Sequence, residues 1–324
     1  MFKQRFGLDL AFYNNITRNQ ILDVPMDQTT GYTKATMNSG KVRNRGIELQ
    51  LDGTPVKTKN FTWNSTFTWA KNYNKVLSLA AGLTDGQTIA YTGGTNCALI
   101  AKVGGSIGDI YGYKLKRAPD GQVVWKDGIT ARTTEFEYVG NAYPAWKAGF
   151  SNEFSYKNFR VSILFDGQWG GIVYSQTHHK MTEHGTLKHT LKYRENPNFE
   201  VVGEGMMLDE RGQYVPNNVP ISVSKYYADY WRRANVETNS FDASFLKLRE
   251  ARIEYTIPSA GLNKIGIERL TLALYGRNLA MWTKDFPVYD PEVATLNNGT
   301  IVPGSEMGQL PSTRTMGFNL TLKF

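Results

Sequence analysis

The sequence predicts an all-β protein, an antiparallel transmembrane β-barrel segment of about eight long strands. Three observations predict it. Apolar and polar residues alternate strictly in eight separate segments, which gives each segment one apolar and one polar face. The segments run for roughly 10 to 13 residues, whereas soluble strands most often have about 5–6 and tilted membrane strands need about 9–11. Long and short connections alternate along the chain, as in membrane barrels.

The composition excludes several other classes of protein. The 324 residues include 13% aromatics, 31 glycines and a single cysteine, Cys97. A disulfide framework is therefore excluded, and the chain is too aromatic to be disordered. Mean hydropathy is −0.41, and apolar runs such as Leu77–Leu83 are far shorter than the roughly 20 residues of a membrane helix. The opening Met1–Phe6 lacks the apolar region of a secretory signal.

The alternation defines the strands in order along the chain. In the first segment Phe6 and Leu8 share one parity, while Gly7 and Asp9 fill the other. The sixth segment changes parity midway, and a β-bulge near Glu250 restores the phase. The eight predicted strands are Phe6–Phe12, Ile47–Asp52, Phe61–Trp69, Trp146–Tyr156, Phe159–Trp169, Phe245–Ile257, Leu270–Tyr275 and Arg314–Phe324.

Alternation of this kind fits either a soluble sheet with one face in a core or a membrane barrel with a wet interior. The polar parity carries charged residues such as Asp9, Lys147 and Arg160, as a water-filled interior would. Trp and Tyr concentrate near strand ends, where amphipathic rings mark membrane interfaces. These features favour the barrel over a soluble β-sandwich, whose strands are shorter. The predicted membrane girdle consists of Trp63, Trp69, Trp146, Tyr156, Trp169 and Phe324.

The connections are a second, independent indication of the barrel, because membrane barrels have short periplasmic turns and long external loops. The links alternate in that order, which places the first strand's start and the C-terminal Phe324 on the periplasmic side of an outer membrane. Loops this long are usually functional. The long links are Asn14–Val42, Asn74–Ala145, Gly170–Ser244 and Asn278–Ser312, and the short ones are Gly53–Asn60, Tyr156–Phe159 and Pro258–Glu268.

Five stretches resemble a known family in the same order. Ser244–Pro258 (SFLKLREARIEYTIP) resembles the penultimate-hairpin signature of SusC/RagA-type TonB-dependent transporters. A single match would carry little weight, but five in register with the predicted topology are specific, and they span the chain. The other stretches are Asn38–Leu51 (NSGKVRNRGIELQL), Val139–Phe165, Leu272–Thr283 (LALYGRNLAMWT) with Tyr289–Glu292 (YDPE), and Pro311–Phe324.

The resemblance implies that residues 1–324 are the C-terminal part of a 22-stranded barrel. In members of this family the barrel surrounds an N-terminal plug, and the chain carries a TonB box. Neither these segments nor a signal peptide is recognised in residues 1–324. Met1 stands immediately before a strand, which on this interpretation indicates a truncated or split coding sequence. Eight strands can also close a small barrel, although the loops and the polar face look suited to a wide one.

The resemblance also implies a function, which is energised nutrient import across the outer membrane. A SusD-like surface lipoprotein would capture a glycan or an oligopeptide and cover the barrel, and the TonB complex would open a path through the missing N-terminal part. Outer-membrane lipid is then a further partner. Two alternatives stay open from the residues alone. One is a passive or structural barrel, such as a porin or adhesin, and the other is a soluble carbohydrate-binding β protein.

Aromatic residues in the long loops are the candidate contacts for a sugar ring, a peptide or the lid. The alternative is that these rings pack the loops into a compact external cap. The candidate contact residues are Tyr111, Tyr113, Trp125, Tyr138, Tyr226, Tyr227, Tyr230, Trp231, Trp282 and Tyr289.

All four histidines fall between His178 and His189, and imidazole nitrogens suit zinc or copper. A solvated loop is the competing interpretation, because no second cysteine helps and Glu183 is the one nearby carboxylate. We therefore predict no metal or cofactor, with His178, His179, His184 and His189 as the candidate ligands if one is present.

The remaining chemistry is sparse. No nucleophile–base pair, phosphate loop or paired carboxylates stand out, so the chain is not predicted to be an enzyme, although a catalytic barrel is conceivable. The net charge of +8 is spread over strands and loops without a basic stripe, so no nucleic-acid partner is predicted. The acidic stretch Pro119–Gly128 falls short of a calcium loop.

Overall fold

The computed structural model describes residues 5–19, 21–25, 28–32, 34–38, 40–79, 86–92, 95–258, 262, 265–297 and 300–324. Part of the predicted short link Pro258–Glu268 lies outside these residues. No helix among the described residues is long and apolar enough to cross a membrane.

Eight long strands form one antiparallel sheet in which each strand pairs with its neighbours in chain order. All eight predicted strands are present: four extend beyond the predicted bounds, three match them and the last is slightly shorter. We number them β1 Phe6–Arg18, β2 Lys41–Lys57, β3 Phe61–Ser78, β4 Trp146–Tyr156, β5 Phe159–Trp169, β6 Phe245–Ile257, β7 Arg269–Thr283 and β8 Thr315–Lys323.

The register aligns the apolar residues of neighbouring strands on one surface, which we call the apolar face. Leu10 lies opposite Leu49 of β2, and Leu49 lies opposite Trp69 of β3. Phe165 of β5 lies opposite Leu248 and Leu164 lies opposite Glu250, so Arg249 is the extra residue in β6. This confirms the predicted β-bulge and restores the parity of β6. The apolar side chains of β1 and β8 are among the most exposed of the described residues, so no described residue covers this face over its edge strands.

Short and long links lie at opposite edges of the sheet, where an edge means the line formed by one set of strand ends. The β4–β5 hairpin turns at Lys157–Asn158, and Lys157 has a φ of 51°. Residues 58–60 join β2 to β3 at the same edge, and the four long links leave from the other edge. In the described residues, β1 pairs only with β2 and β8 only with β7. The sheet is therefore open, with β1 and β8 as its outermost strands.

The long links fold into one structure at their edge of the sheet, which we call the cap. Its two helices are α1 Gln176–Glu183 and α2 Val223–Tyr230, and its 3-10 turns are Gln28–Thr30, Lys188–Leu191 and Glu237–Asn239. Its short strands are Ile21–Pro25, Lys34–Asn38, Gln87–Thr92, Cys97–Ala101, Asp109–Gly112, Val124–Lys126, Ile129–Thr130, Glu137–Asn141, Ile172–Ser175, Glu200–Val202, Met206–Leu208, Tyr214–Pro216, Pro220–Ser222, Ser240–Asp242, Thr295–Asn297, Thr300–Val302 and Ser305–Glu306.

The cap has its own hydrophobic core, and three different links contribute to it. Cys97 and Ile110 from the β3–β4 link pack with Tyr174 and Val236 from the β5–β6 link and Val302 from the β7–β8 link. All five are at most 1% exposed. Burial of this kind is the main stabilising contribution in folding, so the three links form a single packed unit.

Gly46 of β2 marks a close approach on the polar side of the sheet. A Cβ there would lie 2.3 Å from the Lys71 carbonyl oxygen and 2.5 Å from the Tyr13 hydroxyl. Because a backbone atom cannot give way as a side chain can, we expect Gly46→Ala to cost about 1–3 kcal/mol through overpacking. Gly7→Ala is the matched control, since its Cβ would be 3.6 Å from Asp52. Unfolding midpoints in denaturant measure both, and equal midpoints would contradict the packing argument.

Candidate functional site

The opposite surface of the sheet, the polar face, carries a row of side chains that crosses six strands. The backbone pairing places the members of the row directly opposite one another, so their side chains share one face. Charged groups lie at both ends of the row and uncharged residues lie between them. The row runs Asp9, Gln50, Thr68, Gly149, Asp166 and Lys247.

Lys247, the last member of this row, is a buried cation on β6. Its side chain is 2% exposed, and its ammonium donates to both carboxylate oxygens of Asp290 at 2.7 Å and to Glu292. Asp290 is equally buried. A buried charge is tolerated when it is paired and hydrogen-bonded. The pair therefore attaches the β7–β8 link to the polar face.

Arg249, two residues along β6, extends this arrangement. Its guanidinium donates to Glu292 at 2.7 Å and to Asp166 of β5 at 2.9 Å. We call Lys247, Arg249, Asp166, Asp290 and Glu292 the charged cluster. Three carboxylates share two cations, and charge-assisted bonds of this geometry are stronger than neutral ones. The cluster thus joins two strands and the last long link.

A groove of about 460 Å³ opens on the polar face beside the charged cluster. Its bottom is formed by small residues, including Ala70 and Gly149, and its sides carry Glu48 and Lys147. Glu48 and Lys147 both lie opposite Ala70, on the strands that flank it, so an acidic and a basic side chain stand about two strand spacings, roughly 10 Å, apart. Such a groove suits a polar or zwitterionic solute better than an apolar one.

The sequence analysis missed the charged cluster, although two of the three segments that form it belong to stretches that resemble the family. Lys247 and Arg249 belong to the stretch Ser244–Pro258, and Asp290 and Glu292 belong to Tyr289–Glu292. The available signal was two basic residues on the polar parity of β6 and two acidic residues shortly after β7. Nothing in the spacing alone indicated that these segments meet.

Several of the candidate loop aromatics form one stacked group inside the cap. The Trp125 ring is 1% exposed and stacks on Tyr226 and Tyr230, each with a centroid distance of 6.0 Å. Trp231 stacks on Tyr227 at 5.5 Å. The indole of Trp125 donates to the Glu204 carbonyl at 3.0 Å. These contacts favour the alternative in which the rings pack the cap.

Other candidate aromatics lie closer to solvent. Tyr138 is 48% exposed and contacts Tyr111 edge-on at 5.7 Å, while Tyr113 contacts Phe136. The Tyr289 hydroxyl donates to Glu306, and burial raises its pKa to about 12. A substrate or lid contact at Tyr138 or Tyr111 stays a prediction.

Trp282 requires a correction, because it is a strand residue and not a loop residue. It lies in β7 opposite Leu246 on the apolar face and is 54% exposed. The predicted girdle residues lie at two levels of that face. Trp63, Tyr156 and Phe324 lie toward the turn edge, and Trp69, Trp146 and Trp169 lie toward the cap.

The prediction of a solvated histidine loop is wrong for two of the four histidines. His178 and His179 lie in α1 and are 3% and 5% exposed. His178 Nδ1 lies 2.9 Å from Asn239 Oδ1, and His179 Nδ1 lies 2.8 Å from the Trp231 carbonyl. His184 ends α1, and the His189 ring stacks on His178. Within the described part of the chain, no three His, Cys, Asp or Glu side chains converge as metal ligands.

The buried imidazole of His178 predicts a pH-dependent cap. Burial lowers the pKa of His178 from 6.5 to about 4, although the Asn239 hydrogen bond opposes this, and the pKa of His179 falls for the same main reason. Between pH 6.5 and 4 the unfolded chain binds a proton that the folded chain does not. The free energy of unfolding therefore decreases as pH falls through this window, by on the order of 3 kcal/mol from His178.

Limited proteolysis of the cap at pH 7 and pH 4.5 measures this effect. We expect faster cleavage at pH 4.5 in the native chain and a smaller pH difference in His178→Gln. His184→Gln, at an exposed position, is the matched control and should keep the native pH dependence. A His178→Gln chain with unchanged pH dependence would show that another group is responsible.

The whole chain is similar to several TonB-dependent receptors. It is 29% identical to TonB-dependent receptor P26 and 24% identical to TonB-dependent receptor P3, both of Formosa agariphila, and it covers 33% of each receptor. TonB-dependent receptor SusC of Bacteroides thetaiotaomicron is 26% identical over 52% of this chain. No protein-family model matches. The predicted resemblance is confirmed, and the chain spans about a third of the length of the receptors that it matches from end to end.

Solved structures show the same fold. The structure of the RagAB peptide transporter superposes on the entire chain with a TM-score of 0.69 at 20% identity, and the match covers 34% of that protein. The RagAB peptide importer in the open-open state gives a TM-score of 0.68. The predicted all-β barrel fold is confirmed. The names of these relatives are those of receptors, a transporter and an importer.

Proposed function

We propose that this chain forms part of the wall and the external cap of an outer-membrane, TonB-dependent nutrient importer. One observation carries the proposal, namely the end-to-end similarity to TonB-dependent receptor P26. The sheet supports it, because its strands are long enough to span a bilayer and its apolar face leaves large side chains exposed. Residues 1–324 would correspond to the C-terminal part of the barrel.

The positions of the short and long links support one orientation of the sheet across the membrane. Short turns face the periplasm and long loops face the exterior in barrels of this kind. The cap would therefore face the exterior, and Phe324 would lie on the periplasmic side with the β4–β5 turn. The polar face, with its groove and charged cluster, would line the interior of the barrel.

The substrate would be an oligopeptide or a glycan. The groove supports a polar substrate, because an acidic and a basic side chain flank its bottom. The RagAB relative is a peptide transporter by its name, which favours the peptide. A SusD-like surface lipoprotein would cover the cap and contact exposed rings such as Tyr138. Coupling to the TonB complex would depend on parts of the relatives that this chain does not match.

Uptake in cells tests the proposal. The full protein is expressed with its neighbouring surface lipoprotein, and uptake of a fluorescent oligopeptide mixture or oligosaccharide mixture is measured with and without TonB. The proposal expects uptake that requires both TonB and this protein. Uptake that continues unchanged without TonB would support the passive barrel instead, and a protein absent from the outer-membrane fraction would exclude both.

A further inference from the structure

We propose that a notch in the apolar face binds one acyl chain of a phosphate-bearing lipid of the outer membrane. The notch is a cavity of about 500 Å³ whose bottom is formed by Ala148 of β4 and Gly167 of β5. The inference rests on the proposed function, because it requires the apolar face to contact a membrane. It goes further by assigning a specific lipid site to a surface that otherwise meets bulk hydrocarbon.

The notch exists because two small residues interrupt a row of large ones. Trp69, Ala148, Gly167, Leu246 and Trp282 occupy directly opposed positions on five neighbouring strands. Large apolar side chains precede and follow the two small ones in this row. The gap is therefore about two strands wide, at roughly 4.8 Å for each strand spacing.

Aromatic rings close the gap along the strand direction. On the cap side, Trp146 and Trp169 are paired across β4 and β5 and stack with a centroid distance of 6.4 Å. On the turn side, Phe150 and Phe165 form the next opposed pair. The two pairs are four residues apart, or about 13 Å along the strand. The result is a depression with apolar walls and an open side facing outward.

One basic residue lies at the rim toward the cap. The Lys284 ammonium is 5.2 Å from the centre of the Trp169 ring and 2.6 Å from an Asp242 carboxylate oxygen. A lysine whose stem covers an apolar surface while its charge reaches water marks a membrane interface. The ammonium has three N–H donors and uses one of them on Asp242, so it can also donate to a lipid phosphate, and the aromatic walls below it complement an acyl chain.

A phosphate-bearing lipid is favoured over a protein partner by the position of the notch. The notch is continuous with the apolar face of β1 to β8, which the proposed function places against lipid. Its bottom and walls present side chains that a hydrocarbon chain can contact without leaving polar groups unpaired. A second copy of the chain or another protein would also have to cover the exposed Trp169, Leu246 and Trp282, and it is an outcome of the test.

The experiment uses the full protein in proteoliposomes of phosphatidylcholine with brominated acyl chains, followed by native mass spectrometry after gentle detergent extraction. Bromine quenches tryptophan fluorescence on contact. We expect quenching of the tryptophans on the apolar face and at least one phosphate-bearing lipid retained per protein. Ala148→Leu, which fills the notch, should lower retention at least fivefold. Leu272→Phe adds apolar volume elsewhere on the same face and is the matched control.

The outcomes separate this inference from the proposed function. Quenching with equal lipid retention in the native chain and Ala148→Leu overturns the notch and leaves the membrane placement intact. No quenching at all overturns the membrane placement itself. Retention of a second protein chain in place of lipid, lost in Ala148→Leu, shows that the notch is a protein interface and also overturns the inference. Circular dichroism confirms that each variant keeps its strand content.

Discussion

Replacing Lys247 by methionine is expected to destabilise the protein by about 3–5 kcal/mol, because it leaves the buried Asp290 carboxylate without its cation. Methionine keeps the length and apolar stem of the lysine, so the loss comes mainly from the charge. Glu292 retains Arg249 as a partner, whereas among the described residues every contact between Asp290 and a basic side chain is to Lys247. Gel electrophoresis after heating measures the effect, as the temperature at which the band of the folded protein is replaced by the band of the unfolded protein.

The double variant Lys247→Met/Asp290→Asn is the control for this prediction. It removes the cation and the charge that the cation neutralises, so we expect it to recover a large part of the lost stability. Lys147→Met removes an exposed cation of the same face and should change little. If Lys247→Met is as stable as the native chain, the charged cluster does not hold the β7–β8 link in place.

Replacing Trp125 by alanine is expected to cost about 3–5 kcal/mol of cap stability, as for other large buried aromatics. Its ring fills the space between Tyr226 and Tyr230 on one side and Gly203 on the other, where an added Cβ would lie 2.2 Å from the indole. The variant also loses the bond to the Glu204 carbonyl. We expect faster proteolysis within residues 170–244 while the eight-stranded sheet persists.

Tyr138→Ala is the control for the Trp125 variant. Tyr138 is exposed, so its removal should leave the protease resistance of the cap nearly unchanged. If uptake falls in Tyr138→Ala while the cap stays intact, the ring contacts a substrate or the lid. Equal cleavage rates for Trp125→Ala and the native chain would mean that the stacked aromatics do not stabilise the cap.

The strands of the sheet were predictable because the alternation of apolar and polar residues is a local signal. Each strand repeats this signal several times along its length. The parity change in β6 shows its strength, since the mismatch between Leu248 and Ile253 sufficed to place the bulge near Glu250. Strand ends were less predictable. Arg18, Lys57 and Ser78 continue the ladder after the alternation has faded, because backbone pairing does not require apolar side chains.

The packing inside the cap and the charged cluster were not predictable, because they depend on contacts between residues distant in sequence. Lys247 and Asp290 are 43 residues apart, and Trp125 meets Tyr226 from a different link. His178 also illustrates the limit. Four histidines in one window look like solvated loop residues, yet a short helix buries His178 against Asn239. Trp282 was assigned to a loop because its strand extends beyond the apolar alternation.

Cysteine labelling along β4 in intact outer membranes tests the central claim most directly. Cys97 is fully buried, so single cysteines at Phe150 and Phe154 on the apolar face and at Ser151 and Glu153 on the polar face report cleanly. We expect a water-soluble maleimide to modify the Ser151 and Glu153 positions, with Phe150 and Phe154 protected by lipid until the membrane is dissolved. Equal modification of all four positions in intact membranes would contradict a membrane-spanning wall.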